Sequence, residues 1–148
     1  MPYFTSPVDS TKLFYRYYEP FEGGYGANGR PASELTLVFL HGWPMSSDMY
    51  THLMVPLCQT YGIRCIAPDR RGFGRSDWNN GERSVSVTWQ TFVDDTLELL
   101  KLLQVKNFAM VGASMGCPEA LMVYLHSSLA QEQCKVGSLS TSWFMNIC

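Results

Sequence analysis

Gly112, Ser114 and Gly116 have the residue types and the spacing of a nucleophilic turn. They lie in FAMVGASMGCPEA (108–120), where an apolar run of strand length meets the start of a helical pattern. G-x-S-x-G at such a junction is a nucleophile elbow. The reason is steric. The serine occupies a sharp turn with strained backbone angles, and a glycine two residues to either side lets neighbouring backbone pass closely. The hydroxyl then stands above the C-terminal edge of the sheet, and the N–H of Met115 is aimed at a developing oxyanion. Pro118 suits the first helical turn, where amide hydrogens have no intrahelical partner. The motif is short enough to arise by chance, so its meaning depends on what surrounds it.

A serine is a weak nucleophile without a base beside it. The chain has three histidines. His126 lies twelve residues along the helix that starts near Ser114, roughly 18 Å away by helical rise, and is out of reach. His52 falls on the segment after the first buried strand, a solvated or structural position. His41 ends that strand. The strands before His41 and Ser114 are expected to be neighbours, so their ends lie close, which makes His41 the one substitute base in prospect. Asp69 also sits at a strand end. Cys117 lies near a helix N-terminus, where a thiolate is stabilised, but without a paired histidine it reads as a packed thiol. The 112–116 turn fits neither G-x-x-x-x-G-K-[ST] nor G-x-G-x-x-G, which argues against nucleotide binding.

These residues need a scaffold. LTLVFL (35–40), RCIAPD (64–69) and NFAMVG (107–112) are short apolar runs, as in strands buried on both faces of a parallel sheet. Aromatic-rich KLFYRYYEP (12–20) is β-prone. Helical patterns separate these runs. In MSSDMYTHLMVPLCQTYG, Ser46 or Ser47 is a cap, Pro56 predicts a break with a second helix starting at the proline, and Gly62 is a stop. In TWQTFVDDTLELLKLLQ, Phe92, Val93, Leu97, Leu100 and Leu103 share one stripe, leaving Asp94, Asp95, Glu98 and Lys101 to face water. Thr88 is its cap. PEALMVYLHSSLAQEQ (118–133) is the last helix. Alternating strands and helices predict an α/β fold with a mostly parallel sheet, in a single domain. Residues 21–33 read as a flexible Gly-rich loop.

Composition narrows the function. A net charge of −2 over 148 residues does not suggest a nucleic-acid partner. The five cysteines are odd in number and form no C-x-x-C pair, which argues against a disulfide framework or a zinc site. The N-terminus shows no signal-peptide pattern, and no apolar run can span a bilayer, so a reduced, cytoplasmic setting is expected. Charged residues are only 16% and hydrophobic residues 46%. Either this is ordinary variation, or some apolar surface is meant to be covered by chain that is not present.

Three blocks in order, HGWP after the first buried strand, APDRRGFGRSD after the next and VGASMG at the elbow, resemble the α/β-hydrolase family closely. They are most similar to its cofactor-free haloperoxidase and arylesterase branch. The resemblance covers about residues 35–129. It implies a three-layer α/β/α fold with strand order 1-2-4-3-5, and no cofactor or metal. It carries the nucleophile position to Ser114 and the two oxyanion N–H donors to Trp43 and Met115. Serine at that position implies esters, lactones or peracids as substrates, small molecules handled without nucleic acid or membrane. In this family the H-G pair at His41 shapes the oxyanion loop, and the block around Asp69 braces a loop. Ala113 and Cys117 depart from the residues usual in this branch.

The family's acid and histidine follow the nucleophile in chain order. The expectation is therefore a truncated α/β-hydrolase domain, its residues 135–148 an atypical tail with a weak sixth-strand signal over 136–142. Two readings stand. One is a serine hydrolase of carboxylic esters, inactive as this chain alone. The other is a non-catalytic remnant or interaction module that self-associates through an unpaired sheet edge beside the elbow strand.

Overall fold

A computed structural model describes residues 2–20, 27–29, 31–81, 86–141 and 144–147. Strands β1 (Tyr3–Thr5), β2 (Lys12–Tyr18), β3 (Thr36–Leu40), β4 (Arg64–Pro68), β5 (Phe108–Ala113), β6 (Cys134–Thr141) and β7 (Phe144–Ile147) form one sheet. Their order across it is β1-β2-β4-β3-β5-β6-β7. β4, β3, β5 and β6 run parallel, while β1, β2 and β7 add antiparallel neighbours at the two sides. Among the described residues, four α-helices connect them: α1 (Thr51–Tyr61), α2 (Trp89–Leu102), α3 (Gly116–His126) and α4 (Ser128–Gln133).

The period-2 alternation of the central strands sorts their side chains into two cores. Val38, Leu40, Ile66, Phe108 and Met110 pack with Val93, Leu99 and Leu100 of α2 and Ala120 and Val123 of α3. Phe39, Cys65 and Ala67 point to the other face, against Tyr50, Met54 and Leu57 around α1. Helices therefore cover both faces, as the apolar runs predict.

Local signals explain the element ends. Gly62 closes α1 in the left-handed region at φ 66°, and its N–H donates to the Cys58 carbonyl at 3.1 Å. Ser46 caps a 3-10 turn over Ser47–Tyr50 that leads into α1. At the start of α2 the Thr88 N–H donates to Thr91 Oγ1 at 3.2 Å.

Several expectations are corrected. Pro56 does not begin a helix but lies inside α1. It is on the exposed side, where water can take the carbonyl that its missing N–H leaves free. The final helical stretch is two helices, because Ser127 turns extended and its hydroxyl accepts the Ala130 N–H at 3.1 Å, capping α4. Asp95 does not face water. It is buried against Arg71. The elbow strand β5 has no free edge, since β6 pairs with it in parallel and β7 pairs with β6. The loop expected over 21–33 lies partly outside the described residues. Within them, Ala27 and Ser33 donate backbone hydrogen bonds to Gln59 and Gly62 at 2.9 Å.

Candidate active site

Ser114 sits in the turn between β5 and α3 with φ 50°, a left-handed angle that a residue with a Cβ adopts at a cost. It is solvent-exposed. The flanking glycines are there for space. A Cβ on Gly112 would lie 2.5 Å from the Gly116 carbonyl oxygen, and one on Gly116 would overlap the Leu40 carbonyl oxygen of β3. The turn is thus pressed against the end of the neighbouring strand.

That strand brings in the second loop. β3 and β5 pair in parallel with Leu40 opposite Gly112, so the residues after them leave the sheet side by side. A Cβ on Gly42 would lie 3.2 Å from Ser114 Cβ and 3.1 Å from the Ala113 carbonyl oxygen. Trp43 follows, its side chain 68% exposed. Among the described residues, no hydrogen bond engages the backbone N–H of Trp43 or of Met115. Among the described residues, one such amide thus follows Ser114 in its own turn and the other follows Gly42 in the loop packed against that turn.

The histidines are distributed as follows. His41 is buried, 1% exposed. Its Nε2 accepts the Arg70 backbone N–H at 3.0 Å, so in the neutral ring Nδ1 carries the proton and donates to the Gly42 carbonyl at 2.9 Å. Burial, helped by the Arg70 charge, pushes its pKa down to about 4. His126 ends α3, where its Nδ1 contacts the Met122 carbonyl of its own helix at 3.1 Å. His52 is exposed on α1. Among the described residues, no side chain hydrogen-bonds the Ser114 hydroxyl.

Asp69 braces loops: its carboxylate accepts the backbone N–H of Ser47 at 2.6 Å and of Arg75 at 2.9 Å. Cys117 is buried, and its thiol donates to the Gly112 carbonyl at 3.3 Å.

Sequence reasoning missed two buried arginine networks just behind the site. Arg70 pairs with Glu119 of α3, whose other oxygen accepts from Thr96 of α2 at 2.8 Å. Arg71 is fully buried and donates to both oxygens of Asp95 at 2.8 and 2.9 Å, to Asp9 at 2.7 Å, to Ser6 at 2.8 Å and to Asn79 at 3.1 Å. Burial alone would raise the Asp9 carboxyl, but hydrogen bonds from Arg71 and Thr11 hold it at about 2. The one available signal was the doubled arginine in DRRG, too charged to lie in a core unless acids come to meet it. Arg70, Arg71, Asp95, Thr96 and Glu119 line a cavity of about 10 Å³, the size of one water and too small for an ester. Among the described residues no cluster of His, Cys, Asp and Glu is arranged to hold a metal, and no helix is long and apolar enough to cross a membrane.

A sequence profile described as alpha/beta hydrolase fold matches residues 36–142. The chain is 33% identical over 108 residues to a non-heme chloroperoxidase of Streptomyces lividans, covering 73% of this chain and 33% of that protein. It is 41% identical over 76 residues to a non-heme haloperoxidase of Rhodococcus erythropolis, covering 51% of this chain and 22% of that one. Its fold matches an esterase from Exiguobacterium antarcticum with a TM-score of 0.75 at 24% identity, over 95% of this chain and 45% of the esterase. The chain thus spans about a third of the length of the sequence relatives it matches. With the strand order, the elbow and the profile in agreement, the chain belongs to the alpha/beta hydrolase fold family.

Proposed function

We propose that Ser114 is the nucleophile of a serine hydrolase site for small carboxylic esters, with the amides of Trp43 and Met115 as its oxyanion donors. The observation that carries this reading is the strained, exposed Ser114 with the Gly42–Trp43 loop laid directly against it. In this reading Ser114 Oγ attacks the ester carbonyl carbon. The carbonyl oxygen takes the negative charge and is received by two preorganised N–H groups. Collapse expels the alcohol and leaves an acyl-serine, which water then hydrolyses. His41 is a positioning group here, because both its ring nitrogens are engaged.

In this reading the chain by itself has little activity. No described group is placed to take the Ser114 proton, so the chain alone turns over esters negligibly. Losing triad members costs orders of magnitude, leaving roughly 10³–10⁴-fold over water from binding and the oxyanion donors. That no described side chain reaches the Ser114 hydroxyl supports the second reading too, a non-catalytic module. In that case self-association would run through β7, the last strand of the sheet.

The test compares the purified chain with Ser114→Ala on an aryl acetate, alongside labelling by a fluorophosphonate. Slow labelling confined to Ser114, with turnover near background in both proteins, is the expected result. Robust turnover that disappears in Ser114→Ala would overturn the claim of inactivity. Absence of any labelling at Ser114 would favour the non-catalytic module.

A further inference from the structure

We infer that Arg70 and Glu119 are positioning residues that set the direction of the Trp43 N–H through His41. The inference rests on the reading of Trp43 as an oxyanion donor and extends it into the core. Glu119 lies on the elbow helix five positions after Ser114 and is 1% exposed. A carboxylate so buried is retained only if it is paired. One oxygen takes the Arg70 Nε–H, and the other takes the Thr96 hydroxyl of α2. The guanidinium is planar, so fixing Nε fixes the whole fork. Arg70 Nη2 is thereby directed at the His41 carbonyl, to which it donates at 2.7 Å.

Arg70 grips His41 a second time. Its backbone N–H occupies imidazole Nε2 and so places the ring proton on Nδ1, which donates to the Gly42 carbonyl. The Met45 N–H donates to that same carbonyl at 2.9 Å. The Gly42–Trp43 peptide is planar and trans, so its carbonyl and its N–H point in opposite directions. Holding the Gly42 oxygen from two sides therefore aims the Trp43 N–H the other way, out of the core. Because Glu119 and Ser114 belong to one turn-and-helix unit, the relay ties both candidate oxyanion amides to the same rigid element.

The test is residue-resolved amide hydrogen exchange and imidazole ¹H–¹⁵N correlation on the labelled full chain. In the unmodified protein at neutral pH, His41 should be protonated at Nδ1 and not at Nε2. Arg70→Lys keeps a positive charge for Glu119 but has no planar fork to reach the His41 carbonyl as well. It should speed exchange at the Met45 amide by about tenfold, the change one charge-assisted hydrogen bond supports. Core amides of β3 and β5 should speed far less, whereas a merely structural role would quicken all of them together. Thr96→Val, which removes only the outermost bond, should act in the same direction more weakly. An Nε2–H tautomer of His41 would overturn the inference even if the variants fail to fold. So would Met45 exchange that follows the core amides in Arg70→Lys. Neither measurement needs turnover, so a failure of the hydrolase reading at Ser114 would be seen separately.

Discussion

Acidification should destabilise this protein through His41, by an amount that follows from its burial. In the folded chain the ring is neutral because water cannot reach it and the Arg70 charge lies beside it. The pKa falls from 6.5 to about 4. The unfolded chain binds a proton near 6.5, the folded chain only near 4, so stability from this group is complete above pH 6.5 and drains away as pH falls toward 4. At pH 5 the two proton affinities differ enough to remove about 2 kcal/mol, a large share of the margin of a small domain. Buried Asp95 and Glu119 work in the opposite sense. Burial raises their folded pKa values, so protonation at low pH favours the folded chain. The clean measurement is therefore a difference. Urea unfolding from pH 8 to pH 5 is compared between the parent and His41→Gln, which offers an amide oxygen near the Nε2 position and does not titrate. The parent's midpoint should fall by about 1 M more than the variant's, taking an m-value near 2 kcal/mol/M. Parallel curves across that range would refute the assignment of His41 as a buried neutral acceptor.

Other substitutions probe the scaffold. Gly116→Ala drives a methyl into the Leu40 carbonyl and should cost about 1–3 kcal/mol in chemical unfolding, as overpacking does, even though alanine is the better helix former. Arg71→Met leaves Asp95 and Asp9 without their shared partner and should cost about 3–5 kcal/mol, and NMR titration should find Asp9 well above its present pKa of about 2. Pro56→Ala should raise the melting temperature, since it restores an amide donor inside α1 at an exposed position, a gain of about 1–3 kcal/mol before the loss of chain stiffness is counted.

The turn at the candidate site was legible because its geometry is local. A serine between glycines at a strand-to-helix junction leaves the backbone few arrangements, and the turn at Ser114 adopts the strained one. Gly62 and Thr88 behave as their chemistry requires for the same reason. Asp95 shows where local reasoning fails. Helical periodicity places it beside Asp94 on a polar flank, but Arg71, twenty-four residues earlier, enters the core and draws the carboxylate inward. Pro56 fails in the other direction: its intrinsic cost to a helix is real, yet it depends on whether the freed carbonyl meets water or core. The short strands β1 and β7 were not anticipated and β6 left only a weak trace: Gly137 and Ser138 interrupt its apolar pattern, and pairing with β5, already in place, offsets that poor intrinsic strand character.

The sequence by itself determined the alternation of buried strands and helices, the elbow at Ser114 and the identity of the two loops beside it. The first two are set by interactions within a few residues, and the loops were identified by their resemblance to the family's blocks. The expected strand order already set β3 beside β5; only the tertiary structure decided that Gly42 lies directly against Ser114 and that both nitrogens of His41 are taken. It alone decided that two arginines in succession are buried with acids from helices and loops far away in the chain. Charges enter a core only when a partner arrives from elsewhere to compensate for lost hydration, and where that partner stands is a property of the packed molecule.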